Sequence, residues 1–150
     1  MAIKETYNKL QKTYKLPKFE DMNNEFEITA IENKDFLLRE IRRKIAEKIE
    51  VYIKTLEGLM QPEPTITNLH EIRALDEKEQ VYQLFKKLMI IDRTNIETSI
   101  DEDDKKTADF INKCWKQWSD IKKSFLKIVK ELKESWKKES ELKEELSYLG

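Results

Sequence analysis

The chain has 150 residues, 39% charged and 39% apolar, with a formal net charge of −1. That length suits one domain with a genuine core, and the near-neutral balance excludes a global pull toward nucleic acid or an anionic membrane. Two glycines and three prolines suit helices and argue against a turn-rich sheet protein. Cys114 is the only cysteine, so no intrachain disulfide can form, and its place on an apolar helix face reads as a small buried hydrophobe. No apolar run is long enough to span a bilayer, and MAIKETYNKL lacks a signal peptide's apolar core. A cytoplasmic location is the expectation.

Ile3, Tyr7, Leu10 and Tyr14 recur at steps of four, three and four, which predicts a short helix over about 2–14. Pro17 breaks the chain and suits the entry to a second short helix near 18–26, with Phe19, Met22 and Phe26 on one side. The first long helix is expected over about 35–61, capped by Asn33 or Asp35. Leu37, Leu38, Ile41, Ile45, Ile49, Tyr52, Leu56 and Leu59 line its inner face, and Gly58 weakens it mildly. Pro62 and Pro64 stop it, so 62–68 reads as a loop before a short helix around Asn68 to Ala74. Asp76, with Glu79 three residues on, fits a capping box that opens a helix over about 77–99. Val81, Leu84, Phe85, Leu88 and Ile91 face inward there.

The final helix is expected over about 102–146, with Asp101 as its cap and Glu102, Asp103 and Asp104 in its first turn. Its apolar residues keep a seven-residue beat. Ile111, Trp118, Phe125 and Leu132 form one row; Cys114, Ile121 and Ile128 a second; Trp115, Val129 and Trp136 a third. The predicted fold is all-α: an up-down-up bundle of three long helices with two short N-terminal helices, in a single domain over 1–150. The last helix would reach roughly 65–70 Å, against about 40 Å for the first long one, at ~1.5 Å per residue. Its C-terminal part therefore overhangs unless something covers it. Ile3, Tyr7, Leu10 and Tyr14 are the available cover for Leu132, Trp136 and Leu142.

Trp136, Leu142, Leu146 and Leu149 extend the apolar stripe between flanks of mixed charge. Apolar area left unburied tends to find a partner, so these residues point to a protein partner or a homodimer. A second candidate is the lysine row Lys116, Lys123, Lys130 and Lys137, with Arg39, Arg42, Arg43 and Lys44 on the first long helix. A basic ridge can meet a phosphate backbone, which makes a nucleic acid the alternative partner. Against this, Asp120, Glu131 and Glu134 interleave with the lysines, and no aromatic on that face offers a base a platform. In the predicted topology the arginines also meet the acidic run 101–104, with Asp92 approaching the same end, as structural ion pairs.

Chemistry finds little support. His70 is the only histidine and reads as structural or merely exposed. One histidine cannot build a di-iron bundle site, and no His–Cys cluster suits zinc. An EF-hand starting at Asp101 would need Gly at 106 and Glu at 112, where the chain has Lys106 and Asn112. No cofactor, metal or small-molecule substrate is inferred, and an enzyme ranks last.

The stretches FLLREIRRKIAEKIE, NLHEIRALDEKE and FKKLMIIDR look similar to a small all-helical archaeal family without an assigned activity. The resemblance covers most of the chain. It implies a cytosolic helical protein and transfers no functional residues.

Overall fold

The computed structural model describes residues 2–137, and among these the chain is all-helical, with no strand. Six α-helices follow in order: α1 (Ile3–Tyr14), α2 (Phe19–Phe26), α3 (Leu37–Glu57), α4 (Ile66–Ala74), α5 (Lys78–Ile100) and α6 (Asp104–Lys137). Short 3-10 turns occupy Ile28–Ala30 and Gly58–Met60. The expected continuation of the last helix over 138–146 lies outside the described residues.

Helix entries differ from expectation at α3, α5 and α6, and α4 opens at Ile66, two residues before the expected Asn68. Asn33 Oδ1 accepts the Asp35 backbone N–H at 3.2 Å, a turn ahead of α3 rather than its cap. Asp101 does not cap α6. Asp103 Oδ1 accepts the Lys106 backbone N–H at 2.8 Å, the three-residue reach of an N-cap, while Asp101 takes the Lys106 ammonium at 3.1 Å. The reason is Glu102, which turns inward to Arg42 and leaves Asp103 as the side chain that meets the free N–H groups. At α5 the helix opens at Lys78, with the Val81 N–H on the Glu77 carbonyl at 3.4 Å. Glu79 does not reach back to Asp76; its carboxylate accepts from Gln83 Nε2, one turn ahead, at 2.8 Å.

The chain divides into two compact units, the first built from Met1–Val51 and Met89–Ser119. Here α1 and α2 end alike, at Lys15 and Glu27 in the left-handed region (φ 54° and 53°), whose backbone N–H groups return to Gln11 O and Asn23 O. Tyr7, Met22, Ile28, Ile41, Ile45 and Ile111 are wholly buried, each side chain contributing about 1.5–3 kcal/mol. The Tyr7 hydroxyl donates to Pro17 O at 2.5 Å, and its ring meets Phe19 edge-on at 5.6 Å. Burial, helped by the Asp21 charge, pushes that hydroxyl far above a tyrosine's usual range. Phe26 lies 5.0 Å from Trp118. The Lys48 ammonium sits over both rings, at 5.5 and 5.6 Å, and donates to Glu25 O at 2.5 Å. Trp118 Nε1 donates to the Glu25 carboxylate at 2.8 Å.

The second unit comprises Tyr52–Leu88 and Asp120–Gly150. Its core holds Leu56, Leu59, Val81, Leu84, Leu88, Ile121, Ile128 and Leu132. The Tyr52 ring stacks on Phe125 at 4.0 Å. Gly58 permits a close approach: a Cβ there would stand 2.8 Å from Asn68 Oδ1. Pro62 and Pro64 end the preceding helix, and Thr65 then caps α4, its Oγ1 accepting the Asn68 N–H at 3.2 Å.

Candidate functional site

The cap at Thr65 sets the phase of α4 and so the direction of His70. That ring is 2% exposed, and its Nε2 lies 2.9 Å from the Ser135 carbonyl. A carbonyl only accepts, so Nε2 carries the proton and donates. Nδ1 is buried and without a hydrogen-bond partner among the described residues. The His70 ring stands 4.4 Å from Trp136, and Trp136 Nε1 donates to Glu71 at 3.1 Å. Ser135 Oγ closes the cluster by donating to Leu132 O at 2.6 Å.

Within the second unit, the neighbours His70 and Glu71 of Trp136 come from α4. In the first unit Tyr7 of α1 meets Pro17 and Phe19, and Tyr14 O accepts from Asn112 Nδ2 at 3.1 Å. α4 covers one side of the indole only, and Trp136 stays 40% exposed.

Two more apolar residues of α6 share this exposure, Leu126 at 54% and Val129 at 37%. At 3.6 residues per turn, Leu126, Val129, Lys133 and Trp136 line one flank of the helix. Phe125, Ile128 and Leu132, on the adjoining face about 90° around the helix, are buried. Val129, in the third apolar row, lies at the edge of the stripe. Leu126 falls outside the three sequence rows, and its signal was its spacing, three residues before Val129. Leu142, Leu146 and Leu149 lie outside the described residues.

The lysines border this flank. Lys116, Lys123, Lys130 and Lys137 are all exposed, Lys116 in the first unit and the others in the second. Lys137 pairs with Glu134 at 3.0 Å, and Lys127 reaches Glu77 at 3.7 Å. Between residues 122 and 137 stand six lysines and two glutamates, so the local charge is strongly positive although the chain's is −1.

The arginines separate by depth. Arg42 is buried and grips Glu102 through two bonds, Nε at 2.8 Å and Nη2 at 3.1 Å. Its Nη1 donates to Asn95 at 2.7 Å, and Thr107 Oγ1 donates to the same carboxylate at 2.7 Å. Burial alone would raise the Glu102 carboxyl. Hydrogen bonds from Arg42 and Thr107, with the Arg42 and Arg39 charges, outweigh it and hold that carboxyl below the usual range. Arg39 lies 3.8 Å from Glu102, and exposed Arg43 pairs with Glu40. Asp92 does not join the cluster; its carboxylate pairs with Arg93, and Asn95 supplies the acceptor instead.

Little here serves covalent chemistry. Burial pushes the Cys114 thiol up to about 12, so almost none of it is thiolate at neutral pH. Among the described residues no three His, Cys, Asp or Glu side chains gather as metal ligands. A groove of about 520 Å³ where α5 turns into α6 is lined by Thr94, Glu97, Ile100, Lys106 and Phe110. Its lysine at 106 is already taken by Asp101. No protein-family model, curated protein or solved structure matches the chain.

Proposed function

We propose that the protein is a non-enzymatic helical interaction module that docks a protein partner through the C-terminal part of α6, working in the cytoplasm. In this reading the three long helices run up-down-up and hold α6 as a preformed rod. The single observation that carries it is the flank of Leu126, Val129 and Trp136, apolar yet 37–54% exposed on a helix whose adjoining face is core. Trp136 is the natural anchor, since His70 and Glu71 fix its ring before any partner arrives.

A photo-crosslinking side chain placed at position 126, 129 or 136 tests this, with position 105 as the exposed control. A specific crosslinked species from the flank and none from the control is expected. Flank positions that capture nothing, or no more than the control, overturn the reading.

The exposed lysines favour one other reading, contact with a nucleic-acid backbone through Lys116, Lys123, Lys130 and Lys137, assisted by Arg39 and Arg43. It requires duplex or RNA binding that weakens steeply with salt and is lost in Lys123→Glu/Lys130→Glu. No binding at low salt removes it.

A further inference from the structure

We infer that the occupant of the α6 flank is residues 139–149 of a second copy of this chain, an inference that rests on the docking reading above. Three complementarities argue for it. The first is charge. The flank's stretch, 122–137, carries six lysines and two glutamates. Residues 139–149 carry four glutamates, Glu139, Glu141, Glu144 and Glu145, against the single Lys143. Opposite charges at close range favour the pairing and set its register. The second is apolar spacing. Leu142, Leu146 and Leu149 follow steps of four and three, the pattern that offers one greasy edge to a groove or flank. They find Leu126, Val129 and Trp136 exposed to receive them.

The third is reach. The segment of the same chain follows Trp136 directly. To lie back along 126–136 it would have to reverse within 138–141, and of Lys138, Glu139, Ser140 and Glu141 only Ser140 is among the residues that favour tight turns, with no glycine, proline, asparagine or aspartate. A second copy has no such constraint. Two copies that exchange segments make the same contact twice, the self-complementary interface of a two-fold dimer.

Charge reversal on full-length chains tests the inference by sedimentation. One variant is Lys130→Glu/Lys133→Glu; the other is Glu144→Lys/Glu145→Lys. Each places like charges at both contacts, whereas an equal mixture restores opposite charges at both. The parent chain should dimerise in the micromolar range, each variant alone should sediment as a monomer, and the mixture should sediment as a dimer. Circular dichroism should show parent-like helix content in both variants, since Lys130 and Lys133 are exposed and every change swaps one charged side chain for another. A parent that stays monomeric into the high micromolar range overturns the inference. So does a variant that dimerises like the parent, or a mixture that stays monomeric. None of these results touches the docking reading, which the crosslinking experiment decides separately: capture of a different protein at positions 126–136 with a monomeric parent keeps docking and removes the second copy.

Discussion

Removing the Arg42 guanidinium leaves Glu102 buried beside Asn95 and Thr107 without its cation. Arg42→Ala should therefore cost about 3–5 kcal/mol in a urea titration, whereas a loss under ~1 kcal/mol would mean the pair behaves as an exposed one. The same site shapes the acid limb of stability. The folded Glu102 carboxyl titrates below its unfolded value, so its contribution is present above the unfolded value of about 4.3 and fades as pH falls through the lower folded one. Glu102→Gln should lose melting temperature less steeply than the parent between neutral and acid pH, and parallel curves would assign the acid limb to other carboxylates. Cys114 gives a third test. Its thiol should react with a disulfide reagent only as fast as the protein opens, and rapid labelling of the native chain would contradict its burial. Residue-level legibility was uneven for a physical reason. Cys114 shares a seven-residue row with Ile121 and Ile128, so its burial was readable. Arg42 stands four after Leu38 and three before Ile45, on the apolar stripe, yet Arg39 and Arg43 beside it give the whole cluster the look of a solvated face.

Helix α4 is held in part by the Thr65 cap, the His70 bond to Ser135 O, the Trp136 contact and the close approach of Asn68 to Gly58. Thr65→Ala should remove about 1 kcal/mol. The loss should appear as faster amide exchange across 68–74 and altered Trp136 fluorescence; an unchanged exchange pattern would show that α4 does not depend on its cap. At the end of α2, Glu27 occupies a backbone region that glycine enters freely. Glu27→Gly should stabilise by about 1 kcal/mol, read as a raised denaturation midpoint. Helix bodies were legible because apolar periodicity records them, as Ile3–Tyr14 and Phe19–Phe26 show against the expected 2–14 and 18–26. Caps were not. Asp101, Asp103 and Asp104 are chemically similar candidates, and the choice among them fell to Glu102's partner sixty residues away.

Across the molecule the formal charge of −1 conceals a separation, with lysines gathered over 122–137 and glutamates over 139–149. Association through these segments should weaken as salt shortens the screening length, which is about 10 Å at 0.1 M. Leu126→Glu should abolish association and leave unfolding free energy within about 0.5 kcal/mol of the parent, because the residue is more than half exposed. A dimer that survives both salt and Leu126→Glu would place the interface elsewhere.

Sequence by itself determined that the described chain is helical, which faces are apolar and that Cys114 lies inside. Each follows from local rules: propensity, spacing at three, four and seven, and the scarcity of glycine and proline. Tertiary structure alone decided which arginine is buried, which aspartate caps α6 and that α4 lies against Trp136. Those outcomes depend on partners distant in the chain, and a helix's periodicity carries no record of what its face will meet.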